Sequence, residues 1–288
     1  MSALETDLPT VILPVYNAPG ELDGCLESLQ ETLPPDTELL IIDDASTDKA
    51  TGRVLSKWRA RAGMRWQFLA NKKNLGFVAT VNRGMRMSSG DVVLLNSDTE
   101  VTSGWLQGMQ RCLASDEDIA TATPWTNNGE IASLPIFCRN NPVPADREKV
   151  AEVIARTGTA SYPDVPTAVG FCMAISRRAL SRLGLFDQQT FGKGYGEEND
   201  FSMRARSAGL RNVLCDDVYV VHLGNRSFGP LGLRPDESAM QRLLTLHPDY
   251  LEQVEHFILE DPLSARRDEL VSALGEAVHV REPFTSMR

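Results

Sequence analysis

Positive charge is scarce in this chain: 29 Lys and Arg stand against 39 Asp and Glu in 288 residues, a formal net charge of −10. That balance argues against broad nucleic-acid binding, which needs a basic footprint. Glycine-rich phosphate loops are missing as well. Neither G-x-x-x-x-G-K-[ST] nor G-x-G-x-x-G occurs, so no phosphate cradle on a helix N-terminus is expected. No apolar run approaches the ~20 residues needed to span a bilayer. The first seven residues, Met1-Ser2-Ala3-Leu4-Glu5-Thr6-Asp7, lack the basic start and apolar stretch of a secretory signal. Cysteines are few and odd in number: Cys25, Cys112, Cys138, Cys172 and Cys215 lie scattered, mostly in apolar runs. They read as buried thiols of a reducing compartment, not as a disulfide frame or a zinc site. The expectation is a cytoplasmic protein with no internal repeat.

What is present is an alternating α/β pattern. Hydrophobic residues make up 42% and charged residues 24%, a globular composition. The length suits one domain of about 230 residues plus a tail, here 1–229 and a helical extension, 230–288. Thr10-Val11-Ile12-Leu13-Pro14-Val15 reads as a buried strand, followed by a helix with Leu22, Leu26, Leu29 and Leu33 along one face. Further strands are expected at 38–42, 66–69 and 91–95, separated by helices through Val54–Trp58 and Val78–Met85. This βαβαβαβ order predicts a mostly parallel central sheet flanked by helices. Beyond it, helices are expected near 105–113, 147–155, 177–183 and 197–208, with strands at 119–123, 167–176, 211–215 and 218–222.

Acids stand where such a sheet binds ligands, at the carboxyl ends of its strands. Leu39-Leu40-Ile41-Ile42 runs into Asp43-Asp44, and Leu94-Leu95 into Asn96-Ser97-Asp98. With no glycine cradle, a divalent ion held by hard oxygens is one way to neutralise a diphosphate there. Asp98 as a turn cap is the other reading. Asp44 fits a contact to a base or ribose, since a carboxylate only accepts hydrogen bonds. Helix capping by Ser46 or Asp48, with Asp44 solvated, fits equally. Glu197-Glu198-Asn199-Asp200 follows three glycines. One of these acids suits proton abstraction from an attacking hydroxyl, while acids in a first helical turn also simply complement the macrodipole. Glu197 and Asp200 share a helix face, and Glu198 points about 100° away. His222 ends a strand and suits a metal ligand or a structural role. Arg226 suits a diphosphate contact or a surface ion pair.

Several short motifs appear together in order: Pro14-Val15-Tyr16-Asn17, Ile42-Asp43-Asp44-Ala45-Ser46-Thr47-Asp48, Asn74-Leu75-Gly76-Phe77, Asn96-Ser97-Asp98, Gly184-Leu185-Phe186-Asp187, Gly196-Glu197-Glu198-Asn199-Asp200 and His222. From about Leu8 to Gly229 the chain resembles the inverting family 2 glycosyltransferases of the GT-A fold, in their rhamnosyltransferase-like branch. The resemblance implies transfer of a sugar from a nucleoside-diphosphate donor, a UDP- or dTDP-sugar, to a glycan or lipid-linked acceptor met in a peripheral encounter at the cytoplasmic membrane face, with Mn2+ or Mg2+ as cofactor. It implies Asp98 and His222 as metal ligands and Glu198 as general base. Donor contacts are implied at Pro14, Tyr16, Asn17, Asp44, Asn74, Gly76, Asn96, Ser97 and Gly170.

The chain departs from the family pattern at three positions. Asn96 replaces the first acid of the metal motif, Glu198 replaces an aspartate, and Val81 stands where many members carry an arginine. These departures leave a non-catalytic nucleotide-sugar or glycan binding module as the alternative. A sugar nucleotidyltransferase would need a Gly- and Arg-rich first loop, which Pro14-Val15-Tyr16-Asn17-Ala18 is not. Trp125, Asn127, Asn128 and residues 137–141 are further candidates to line the sugar or acceptor pocket. The extension after residue 229 is free to cover the acceptor groove, to mediate oligomerisation, or to pack.

Overall fold

The computed structural model describes residues 8–63, 65–224 and 237–275. Its first half alternates as the periodicity predicts. Strand β1 (Thr10–Val15) leads to helix α1 (Pro19–Thr32), β2 (Leu39–Asp43) to α2 (Lys49–Arg59), and β3 (Trp66–Ala70) to α3 (Phe77–Met87). β4 (Val92–Leu95) follows, and all four of its residues are buried. Local chemistry sets the helix ends. Pro19 opens α1, where a missing N–H costs nothing. Asp48 caps α2 by accepting from the Ala50 amide, a contact worth about 1 kcal/mol. Asp48, rather than Ser46, is therefore the cap.

A short strand β5 (Thr99–Glu100), helix α4 (Trp105–Ala114) and strand β6 (Ile119–Trp125) come next, then α5 (Arg147–Arg156). β7 (Cys172–Ile175) is shorter than the expected strand 167–176. The Ala168 amide bonds the Ser202 hydroxyl and the Val169 amide bonds the Thr123 hydroxyl. Side chains thus take the donors that a sheet ladder would need, and Gly170 stays in a loop. Helices α6 (Arg177–Leu183), α7 (Gln188–Phe191) and α8 (Glu197–Ser207) precede β8 (Arg211–Tyr219) and β9 (Val221–His222). The two expected late strands are thus one long strand and a two-residue continuation. Three helices close the described chain: α9 (Glu237–Leu246), α10 (Tyr250–Glu260) and α11 (Ser264–Leu274).

The seven-stranded sheet runs β3-β2-β1-β4-β7-β6-β8. β7 is antiparallel to both its neighbours, and the remaining pairs are parallel. One face is covered by α1 and α4, whose Leu22, Leu26, Trp105 and Met109 are fully buried. The other is covered by α3, α6 and α8, and Leu243 and Tyr250 of the C-terminal helices join that core. α11 adds Leu270 and Leu274 to a third cluster with α5 residues Val150 and Ile154. The described C-terminal helices therefore pack into cores built by the residues before them. Four of the five cysteines are buried and unbridged, as expected, while Cys138 is exposed.

Candidate active site

Four strand ends and one helix start converge at the carboxyl edge of the sheet. At its centre, β5 and β9 form an antiparallel ribbon with Thr99 opposite His222. The Leu223 amide bonds the Asp98 carbonyl at 2.9 Å. This pairing sets His222 Nε2 3.7 Å from Asp98 Oδ1. His222 Nδ1 faces the Asn128 carbonyl oxygen at 2.5 Å. A carbonyl only accepts, so Nδ1 carries a proton and donates to it, and Nε2 is the nitrogen turned toward Asp98. Its ring stacks on Phe171, with centroids 5.1 Å apart. Asn127 brackets the same residue, accepting from the His222 amide and donating to its carbonyl. Burial pushes the Asp98 carboxyl up from its ordinary range, opposed by the charge on His222.

The carbonyl bond fixes the ring so that, in its neutral form, Nε2 presents a lone pair beside the Asp98 carboxylate, the orientation a metal ligand needs. The donor set, one carboxylate and one imidazole, suits Mn2+ or Mg2+ only with substrate oxygens added. Among the described residues no group of three or more His, Cys, Asp or Glu could hold a metal. Asn96 and Ser97 complete the turn: the Asn96 amide bonds the Phe171 carbonyl and its carbonyl accepts from the Thr99 hydroxyl. Ser97 is buried, and the Asn96 side chain is half-buried.

On the β1–β2 side, Asn17 is a structural clasp. Its side-chain oxygen accepts from the Thr47 and Asp48 amides, and its own amide bonds Ser46. Asn17 and Ala18 take left-handed backbone angles to make this turn. Pro14 and Tyr16 flank it, half-buried. Asp44 is 4% exposed, so it is not the solvated residue of the capping alternative. Its Oδ1 accepts from Asn71 Nδ2 and the Leu75 amide, its Oδ2 from the Gly76 amide, all at 2.8 Å. Three of about four lone-pair sites are thereby filled, and one on Oδ2 stays free. Asn74 is half-buried in the loop that Asp44 holds. Gly76 has φ +87°, and a Cβ there would lie 2.5 Å from Lys193 Cα. The Phe77 amide donates to the Lys193 carbonyl at 2.9 Å. Glycine thus lets the 192–196 loop dock against the Asn74-Leu75-Gly76 turn.

That loop delivers α8. Asp187 caps α7 through the Gln189 and Thr190 amides, and Asn82 of α3 clamps the Phe186 backbone from both sides. Glu198 then faces Gly170, whose Cβ position would lie 3.8 Å from the Glu198 carboxyl carbon. Its Oε2 is sealed from solvent without a hydrogen-bond partner. Burial pushes the carboxyl up to about 7, opposed by the Glu198, Gly196 and Asn199 amides and reinforced by Glu130. Glu197 is more deeply buried, 4% exposed. Desolvation and the neighbouring Glu198 push it well above the usual range. Asp200 is otherwise engaged: Arg204 Nε donates to its Oδ2 and His247 to its Oδ1. Of the three acids, Glu198 is the one that lies beside Gly170.

Other expectations change role. Trp125 is fully buried, so it packs the core and lines no pocket. Asn127 and Asn128 serve His222, and Asn141 ties residues 127, 136 and 139 together. Val81 is buried in the core at the position where the resemblance sought an arginine. Arg226 lies outside the described residues. Asn71 and Glu130 border the site without any motif to announce them. Asn71 is legible in hindsight only as a polar residue at the end of β3.

The profile described as Glycosyl transferase family 2 matches residues 10–184. The chain belongs to this family. The match covers the β1–β2 and Asn74-Leu75-Gly76 motifs and Asp98, and stops before Glu198 and His222. Among curated relatives of this family 2 chain, an uncharacterised protein of Mycobacterium tuberculosis is 25% identical over 160 residues, 54% of this chain and 56% of its own length. A putative polypeptide N-acetylgalactosaminyltransferase 13 of Drosophila melanogaster is 32% identical over 130 residues, 41% of this chain and 23% of its own. The chain thus spans little more than half the length of the first of these relatives. A solved structure of GalNAc-T7 with UDP, GalNAc and Mn2+ superimposes with a TM-score of 0.66 at 15% identity, over 94% of this chain and 55% of that one. The shared architecture is the GT-A fold, a mostly parallel sheet flanked by helices with helices at the C-terminus.

Proposed function

We propose that this family 2 protein is an inverting, divalent-cation-dependent glycosyltransferase. It would move a sugar from a UDP- or dTDP-sugar to a hydroxyl of a glycan or lipid-linked acceptor, with dTDP-rhamnose as the donor that the branch resemblance suggests. The observation that supports this reading is Glu198: a carboxyl beside Gly170, raised to about 7, whose Oε2 has no hydrogen-bond partner.

The nucleotide lies along the β1 and β2 ends, against Pro14, Tyr16 and Asn17. The free Oδ2 site of Asp44 accepts from base or ribose. Asn74, Gly76, Asn96, Ser97 and Gly170 shape the walls, and Arg226 answers the diphosphate charge. Mn2+ or Mg2+ would be held by Asp98 and His222 together with diphosphate oxygens, and would stabilise the leaving group. Glu198 takes the proton from the acceptor hydroxyl, a role best filled by a base titrating near the working pH. Gly170 lies beside this carboxylate and adds no side chain on the sugar side.

The test is transfer from UDP- and dTDP-sugars with Mn2+ present, for wild type and Glu198→Gln. The variant should lose transfer by about 100-fold or more while retaining donor binding. Near wild-type turnover by Glu198→Gln would refute the base assignment.

A further inference from the structure

Charge in this acidic chain is sorted along the sequence. Residues 49–90 contain ten Lys and Arg and no Asp or Glu, leaving 19 basic residues to face all 39 acidic ones elsewhere. The fold collects this segment at one edge. It comprises α2, β3 and α3, and β3 is the terminal strand of the sheet. α2 and α3 follow parallel strands by right-handed crossovers, so they lie on opposite faces of the sheet, α2 against β3 and α3 over β1 and β2, with Arg83 of α3 reaching back to the Ala70 carbonyl of β3. Nine of the ten cations are exposed, and Arg83 is half-buried. Among the described residues only Lys57 has an acidic partner, Asp23. Arg59 lies over Phe68, and Arg61 over Trp58. Trp66 and Phe68 on the edge strand are themselves half-buried.

We propose that this edge docks on an anionic lipid surface. Lys and Arg mixed with aromatic rings suit the headgroup layer, where rings sit at the boundary and cations meet phosphates. The net charge of −10 does not oppose this. Screening confines the attraction to groups within about 8 Å of the plane, so the acidic remainder acts only by orienting the approach. With the β3 edge down, Lys72 and Lys73 at its carboxyl end bring the neighbouring Asn74-Leu75-Gly76 turn alongside the lipid. The assignment stands apart from the transfer chemistry and does not depend on it.

The test is co-sedimentation of the full chain with vesicles of phosphatidylcholine alone and of phosphatidylcholine with about one-third phosphatidylglycerol. Binding is expected on the anionic vesicles only, falling about tenfold or more as salt rises from roughly 0.05 to 0.3 M. Lys49→Glu/Arg53→Glu/Arg65→Glu should weaken it by about tenfold or more. The corresponding triple Gln variant should fall in between, with both variants melting like wild type. Equal binding to neutral vesicles, no binding to either at low salt, or unaltered binding by the Glu variant would overturn the proposal. Self-association of the chain, or retention on duplex RNA or DNA without vesicle binding, would hand this edge to another partner and equally overturn it.

Discussion

His247 donates to Asp200 Oδ1 at 2.9 Å across 47 residues of sequence, so a residue of the C-terminal extension grips the helix that carries Glu198. Arg204 takes the other Asp200 oxygen and also donates to the Leu183 and Leu185 carbonyls. Asn199 donates to the Thr167 hydroxyl, close to which the buried Tyr250 ring sits. The two residues after Glu198 are thus anchored from behind.

His247→Ala should therefore cost about 1–3 kcal/mol in stability, because Asp200 loses a partner in a buried setting. Transfer should slow more than donor affinity changes, since the anchor acts on the helix of the proposed base and not on the β1–β2 end where the donor nucleotide is proposed to bind. His247→Gln, which can still donate to Asp200, should recover most of the rate. Chemical denaturation with parallel kcat and KM measurements checks both effects. Full activity in His247→Ala would remove this anchoring role.

The position of Glu198 fixes a pH dependence. Its carboxyl is raised by burial to about 7 and must be ionised to accept a proton. The rate of transfer should rise with pH through about 7 and level off above it. Stability runs the other way. A carboxyl whose folded pKa lies above its unfolded value of 4.5 contributes most below pH 4.5. That contribution is lost as pH climbs through about 7. Glu198→Gln should thus raise the melting temperature by about 2–5 °C at pH 8 and by little at pH 5. Calorimetry at the two pH values reads the difference.

Gly76 is held open by the backbone of Lys193. A methyl group at Gly76 would meet Lys193 Cα at 2.5 Å, at a φ of +87° that favours glycine. Gly76→Ala should push the 192–196 loop away and weaken donor binding by about tenfold. The loss of stability should be about 1–3 kcal/mol. Donor titration and thermal melting of this variant measure the two.

Much of the architecture was legible because buried apolar runs and helical periodicity are local. β2 and β4 run into stretches that carry acids, so Asp44 and Asp98 could be placed at strand ends without the structure. The partners could not. Asp44 takes its donors from residues 27 to 32 positions away, and Asn127 holds His222 across 95. Such pairings are set by which strand ends meet, which no local pattern encodes. The shortened β7 has the same cause: Ser202 and Thr123 side chains capture the Ala168 and Val169 amides. The role of Asp200 stayed ambiguous within its acidic cluster until His247 and Arg204 were seen to claim it.

The pairing of Asp98 Oδ1 with His222 Nε2 at 3.7 Å is where the account stands or falls. Calorimetric titration of the nucleoside diphosphate with Mn2+ and with chelator, on wild type and Asp98→Ala, tests it most directly. The account predicts that Mn2+ tightens binding by about tenfold or more in wild type and that this gain disappears in the variant. An equal gain in both proteins, or none in wild type, would contradict it.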